Sequence, residues 1–307
     1  MLCARQSSDG TKGRRLELVR PESAEQAAQA LGNGTKALAG GTDLVPLIRD
    51  GIVTAETLVD VTGVVPRGLQ RGTATATSTS TSIVVGGGTT LAELERDSDV
   101  PEALHEACRQ AASPQLRSMG TLAGNLLQAT RCWYWRLQFP CYLHGGDRCH
   151  AKDGAHREHA IFGNDRCASA HPSDVAAALL ALNATVRTTA RELPIAELYR
   201  LPTDDDRDVT ALAADELILE VEVPAPEASA YLKAMDRKKW AFPLVGVAAA
   251  RFGDEIRLAL AGVAPIPWVI ESPGTLDDAT PLPGTAYKVE IARALVRRAL
   301  VGIDAGR

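Results

Sequence analysis

ALAGGTDLV, residues 37–45, is the stretch on which the reading of this chain turns. Residues 37–39 predict a short strand, paired glycines follow, and the apolar run from Leu44 predicts a helix over 44–49. Glycine has no Cβ, so a strand passing through Gly40-Gly41 into a helix can bring bare backbone amides against an anion such as a pyrophosphate. The candidate contact set is Leu38-Ala39-Gly40-Gly41-Thr42-Asp43-Leu44. An ordinary strand-to-helix turn reads the same way, and short glycine matches are common. A second turn adds weight: Gly120-Thr121-Leu122-Ala123-Gly124-Asn125. Two such turns could hold both phosphates of a dinucleotide, with the Thr121 hydroxyl and the Asn125 amide as further partners.

Outward from these turns the chain predicts short strands alternating with helices. Strands are expected at 16–19, 58–61 and 83–85, and helices at 24–31, 101–112 and 174–182. Ser23 with Gln26 and Thr90 with Glu93 carry capping-box spacing, and Ser173 is the expected cap of the alanine-rich helix. The segment PRGLQRGTATATSTSTS, residues 66–82, reads as an exposed loop whose Thr/Ser-rich part is 73–82. An acidic loop at 203–208 and a strand at 217–223 stopped by Pro224 and Pro226 place a boundary near residue 222. Beyond it, strands at 231–235, 244–252 and 256–262 precede a helix over 289–300 whose Val289, Ala292, Val296 and Ala299 share a face. Strands followed by one helix predict an α+β fold rather than a doubly wound sheet.

Composition narrows the function. Hydrophobic residues at 45% and charged residues at 23% are ordinary globular usage. A net charge of -5 gives no basic face for phosphates, so nucleic acid is not an expected partner. No apolar run is long enough to cross a bilayer, and the start lacks a secretory core, so membrane insertion is not expected and a cytoplasmic protein is. There is no G-x-S-x-G elbow, no H-E-x-x-H and no P-loop lysine. Without a nucleophile or general base, no catalytic residue is expected on the chain, which reads as a cofactor carrier.

The cysteines carry the remaining information. Cys3 and Cys108 stand apart, whereas Cys132, Cys141, Cys149 and Cys167 are spaced C-x8-C-x7-C-x17-C. Trp133, Tyr134, Trp135, Phe139 and Tyr142, five of the thirteen aromatics, crowd between the first and third of them. Four thiolates within an aromatic shell fit an iron–sulfur cluster. A zinc site using cysteine and histidine and unligated core thiols stay open on spacing alone, although the C-x2-4-C pair usual for zinc is absent. His144, His150, His156 and His159 lie in a polar loop and read as solvated, and His171 as structural.

Taken together the motifs resemble one family. ALAGGTDLVPLIRDG, SPQLRSMGTLAGNLLQ, HPSDVAAALLAL, YLKAMDRKKWAFPLVGVA and LAGVAPIPW stand in the order found in the FAD-binding medium subunits of the xanthine dehydrogenase and carbon monoxide dehydrogenase family of molybdenum hydroxylases. The stretch TRCWYWRLQFPCYLHGGDRCHAKDG, with IFGNDRCASAHPSD, resembles the branch related to the periplasmic aldehyde oxidoreductase, whose flavin subunit carries an extra [4Fe-4S] cluster.

The resemblance implies a two-lobed α+β FAD domain of the vanillyl-alcohol-oxidase type over 1–222 with a cluster loop at about 130–170, then a small α+β domain over 223–307. It implies FAD on the two glycine turns (Leu38, Ala39, Gly40, Gly41, Thr42, Asp43, Leu44 and Val45 in the first, Gly120, Thr121, Gly124 and Asn125 in the second), with Asp174 and Lys233 as further cofactor contacts, the lysine lying near the flavin. It implies a [4Fe-4S] cluster on Cys132, Cys141, Cys149 and Cys167. The expected partners are a large molybdenum-cofactor subunit and a small subunit with two [2Fe-2S] clusters, from which electrons pass through this flavin to an external acceptor. Export with a signal-bearing partner is the alternative to the cytoplasm. A self-contained oxidase of the vanillyl-alcohol oxidase type and a non-catalytic assembly module are the competing readings. Two residues depart from the family pattern: Ala123 stands where a glycine is usual, and Ala129 where an arginine is.

Overall fold

The structure, a computed structural model, describes residues 16–72 and 82–305. The first fifteen residues and the stretch 73–81 lie outside them, so the Thr/Ser-rich part of the expected exposed loop falls there except for Ser82, which opens a strand.

Three sheets follow one another along the chain. The first contains β1 (Glu17–Val19), β2 (Thr35–Leu38) and β3 (Thr57–Asp60), all parallel in the order β1-β3-β2. The helix Ala24–Ala30 starts where the Ser23 hydroxyl accepts the Gln26 N–H at 3.2 Å. The Gln26 side chain accepts from Glu22 N rather than Ser23 N, so the expected capping box is displaced by one residue. Ala27, Val59, Val61, Val65 and Leu217 form this lobe's small core.

The second sheet holds β4 (Leu69–Gly72), β5 (Ser82–Gly86), β6 (Thr185–Thr188), β7 (Glu192–Pro194) and β8 (Ile218–Pro224), antiparallel in the order β4-β5-β8-β6-β7. β4 is a correction: Leu69 to Gly72 were read as loop, and pairing with β5 makes them a strand. Every residue of the helix Asp174–Ala181 is buried, which is why its sequence is apolar on all sides. The reciprocal capping box of Thr90 and Glu93 forms as expected.

The third sheet is β9 (Ala228–Ala234), β10 (Val245–Phe252), β11 (Glu255–Ala261) and β12 (Trp268–Ile270), antiparallel in the order β12-β11-β10-β9. Side chains alternate across a strand. Val245, Val247 and Ala249 therefore face one core with Ala292, Val296 and Ala299 of the helix Tyr287–Asp304, while Ala248 and Ala250 join a second core with the helix Asp174–Ala181. Burial on both faces explains the unbroken apolar run of β10. The chain is α+β, as its pattern predicts.

Residues 130–170 are built differently. They contain only short turns, at Trp133–Arg136, Tyr142–His144 and His150–Asp153. Their own apolar cluster amounts to Cys149, Ala151 and Ala168, with Tyr134 and Leu282 against it.

Candidate functional site

The two glycine turns meet. A Cβ placed on Gly40 would lie 1.7 Å from the Met119 carbonyl oxygen, and one on Gly120 3.5 Å from the Thr42 hydroxyl. Only a residue without a side chain at position 40 permits that approach. Gly41 adopts φ +68, the left-handed region that favours glycine. Among the described residues, the N–H groups of Gly40, Gly41, Thr42 and Asp43 make no hydrogen bond. Four consecutive bare amides around a left-handed residue form a concavity suited to an anion.

The negative charge of Asp43 at the edge of this concavity is offset within the chain. Its carboxylate accepts from Ala129 N at 2.8 Å and pairs with Arg131 at 2.9 Å and Arg136 at 3.2 Å. Burial lowers the Arg131 guanidinium to about 10, which leaves it a cation at neutral pH. Two guanidiniums around one carboxylate give the rim a net positive charge. They also supply the cation that Ala129 lacks.

The second turn is fixed by a third that the sequence reading missed. Gly86-Gly87-Gly88 runs from the last residue of β5 towards the Thr90 cap; its signal was three consecutive glycines at the end of a strand. Ala123 N donates to Gly87 O at 3.0 Å and Leu122 N to Thr89 O at 2.8 Å. A Cβ on Gly87 would stand 3.3 Å from the Ala123 methyl and 2.8 Å from Ile218 O. Gly87 thus makes room for the alanine at 123. Thr121 caps the helix Leu122–Leu126 through Gly124 N, and Ser173 donates to the Asn125 side-chain carbonyl at 2.6 Å.

Asp174 and Lys233 come together, buried. Lys233 Nζ reaches Asp174 at 2.7 Å and Gln110 O at 3.0 Å, and the Tyr231 hydroxyl donates to the other carboxylate oxygen. Burial raises the Asp174 carboxyl above the ordinary range, and the Lys233 and Tyr231 contacts oppose it. The lysine charge is already matched within the chain.

The four thiols of the cysteine loop also converge. Cys149 and Cys167 share a hydrogen bond, and Cys132 feels the charges of both Cys149 and Cys141. The Cys149 thiol is held down to about 5 by the hydrogen bond from Cys167, helped by the N–H groups of Ala168, Ala151 and Lys152 against the effect of burial. Cys167, the donor in that bond, is pushed up by it and by burial. Burial pushes Cys132 up to about 11, opposed by the amides of Trp135 and Tyr134. Backbone amides therefore point at sulfur, as thiolate ligands require. Among the described residues, the three-ligand group tight enough for one ion, with its atoms within 4.8 Å, is Glu102, His105 and Glu106 on the helix Glu102–Gln110, not the cysteines.

The aromatic residues expected to form a shell pair with histidines, but Trp133, Tyr134 and Trp135 are half-buried, Phe139 is exposed and Tyr142 alone of the five is buried. Trp135 stacks on His144 with centroids 5.2 Å apart, and Trp133 meets His159 edge-on at 4.6 Å. One histidine differs from its reading: His159, expected in solvent, is buried with Nε2 3.2 Å from Cys132 Sγ. Burial lowers it to about 4, so it is neutral. His171 is buried as expected. A cavity of about 210 Å³ separates this loop from the turn after β9, with Arg131, Cys132, His159, His171, Arg237 and Phe242 in its wall.

The family comparison agrees with this geometry. Residues 14–226 match the FAD binding domain in molybdopterin dehydrogenase. The aldehyde oxidoreductase FAD-binding subunit PaoB of Escherichia coli (strain K12) is 36% identical over 274 residues, 82% of this chain and 81% of that protein. The 6-hydroxypseudooxynicotine dehydrogenase complex subunit alpha of Paenarthrobacter nicotinovorans is 31% identical over 120 residues, 37% of this chain and 38% of that one. Among solved structures, a chain of the carbon monoxide dehydrogenase of Hydrogenophaga pseudoflava superposes with a TM-score of 0.68 at 24% identity, covering 95% of this chain and 98% of that one. That likeness speaks for the fold alone. With bare amides at Gly40 to Asp43, a second turn pressed against them and a family match over both, the chain belongs to the FAD-binding subunits of the molybdenum hydroxylases.

Proposed function

We propose that this chain is the electron-transfer subunit of a molybdenum hydroxylase of the aldehyde oxidoreductase type, holding FAD on its glycine turns and a [4Fe-4S] cluster on Cys132, Cys141, Cys149 and Cys167. The observation that carries the reading is the Asp43 junction: one carboxylate ties the bare amides of the first turn to Arg131 and Arg136 on either side of Cys132. A dinucleotide and an iron–sulfur centre would then lie side by side.

In this reading the residues act as follows. The amides of Gly40 to Asp43 hold pyrophosphate oxygens, with the guanidinium pair raising the local potential. Thr121 and Asn125 shape the second turn. The buried Asp174–Lys233 pair lines the flavin side as one neutral unit. The four thiols hold the cluster, and the aromatic rings keep water from it. When bound, the flavin supplies the exchange between two-electron and one-electron transfer, and the cluster single-electron transfer. Electrons come from the [2Fe-2S] clusters of a small partner subunit, reduced in turn by the molybdenum subunit, and leave to an external acceptor.

The small apolar cluster within residues 130–170 supports the cluster assignment: apart from Ile161 and Phe162, which join the core of the third sheet, the segment packs on little more than Cys149, Ala151 and Ala168, and a bound centre would add cohesion. Among the described residues no helix is long and apolar enough to cross a membrane. Anaerobic purification tests the proposal. It expects a flavin absorption spectrum and about four irons per chain, the number in one such cluster; protein lacking both refutes it.

A further inference from the structure

His159 is held beside Cys132 more firmly than a passing contact requires. The residue is 2% exposed, Trp133 meets its ring edge-on at 4.6 Å, and Tyr134 lies 6.1 Å away. Its backbone N–H donates to His156 O at 2.9 Å, and its backbone carbonyl accepts from Lys288 Nζ at 2.9 Å. Lys288 is wholly buried on the helix Tyr287–Asp304 and also donates to Glu158 O and Gly262 O. A residue of the C-terminal helix thus fixes the position of an imidazole in the cysteine loop.

The hydrogen-bond inventory then assigns the proton. A sulfur bound to iron has no S–H, so a nitrogen 3.2 Å from it can only donate. Nε2 must carry the hydrogen, and Nδ1, buried without a partner among the described residues, is the bare nitrogen. Hydrogen bonds to cluster sulfurs favour the more negative, reduced state and raise the potential.

We propose that His159 donates Nε2–H to Cys132 Sγ and sets the reduction potential of the iron–sulfur centre, a positioning residue rather than a ligand, with Lys288 holding it in register. This rests on reading the four cysteines as cluster ligands. His159→Leu removes the donor. His159→Gln keeps an N–H at similar reach.

The test is a redox titration of the full chain, reconstituted anaerobically, with iron counted and the cluster signal followed by electron paramagnetic resonance. Losing one charge-assisted bond is expected to shift the one-electron equilibrium about tenfold towards the oxidised form, about 59 mV lower, in the leucine variant, while the glutamine variant stays near the starting potential. Leucine protein that loses iron beside glutamine protein that keeps four irons at the original potential also supports the donor role. A leucine variant with four irons and an unchanged potential overturns it and leaves the cluster reading standing. Equal loss of iron in both variants assigns His159 a packing role instead. Absence of iron from the unsubstituted chain removes the cluster reading, and this proposal with it.

Discussion

The glycine turns and the cysteine loop lie side by side, joined at Asp43, and are held in place by opposite means. Around the turns the backbone does the work: Leu91 N to Gly120 O, Leu122 N to Thr89 O, Ala123 N to Gly87 O and Gly87 N to Leu219 O lock the second and third turns to one sheet, and the first presses against the second at Gly40. Around the loop, side chains add most of the outside ties beyond the backbone bonds of Ile161 and Phe162 to Val263 O and of Thr280 to Ile161 O. Arg207 donates to Tyr142 O at 2.9 Å and Gly146 O at 2.6 Å, Lys288 to the carbonyls of Glu158 and His159, and Asn164 to Thr280 O at 2.8 Å. A cradle made of backbone is complete before its ligand arrives. A loop that lends Ile161 and Phe162 to the neighbouring core and is otherwise pinned from outside would, with the proposed cluster bound, draw much of its order from its thiols.

The strongest way to break this contrast is to remove one thiol. Cys149→Ser is expected to abolish the iron content, from about four per chain to near zero, and to open residues 130–170 to protease while flavin retention persists. Iron analysis and mapped cleavage sites measure it; cleavage spread over the whole chain would show that the two regions do not stand apart. Gly40→Ala attacks the other side. The new methyl would stand 1.7 Å from the Met119 carbonyl oxygen, a backbone atom that cannot swing away. The turns must separate, at a cost of about 3 kcal/mol, with loss of flavin but not of iron. Denaturant melts with flavin and iron counts check this.

The same contrast explains what could be read from the sequence. Gly40, Gly41, Gly120 and Gly124 were legible because glycine has few reasons to stand after a strand, and β10 and the Asp174–Ala181 helix because their burial writes continuous apolar runs. β4, β6 and β7 were not, since LQRG, TVRT and ELP are short and mix polar with apolar residues, and only pairing makes them strands. The cysteines could be found but not their geometry, because long-range clamps such as Lys288 to His159 leave no local pattern. His159 looked solvated because its neighbours Arg157 and Glu158 are polar; its burial comes from Trp133 and Lys288, far away in sequence.

Acid sharpens the comparison further. His171, whose carbonyl and amide tie the end of the loop to Gly262 and Ala264, is lowered by burial from 6.5 to about 4. A histidine with a depressed value is neutral in the fold and takes up a proton on unfolding, so the unfolded state binds more protons between pH 6.5 and pH 4. Its contribution is intact above 6.5 and is lost as pH falls through that window, by about 2.5 kcal/mol at pH 4.5. His159, lowered to about 4 by burial, acts in the same direction. Unfolding midpoints measured from pH 7.5 to 4.5 are expected to fall, and His171→Gln to flatten the slope. A slope unchanged in that variant assigns the acid sensitivity elsewhere.

The smallest effects come from single props, and they differ in kind between the two regions. The Tyr199 hydroxyl, buried, donates to Leu126 O at 3.1 Å just beyond the second turn. Tyr199→Phe leaves that carbonyl short of one donor and costs about 1 kcal/mol of global stability. Hydrogen exchange at the turns is expected to change no more than elsewhere, because their backbone bonds are untouched. Arg207→Met removes two donors from the loop, and exchange across residues 141–149 is expected to quicken about tenfold while the rest of the chain is unaffected. A clamp that acts only locally belongs to a segment that opens by itself; a prop whose loss is felt everywhere belongs to the cooperative core. Should Tyr199→Phe loosen the turns alone, the cradle is not preformed, and its amides close only around the ligand.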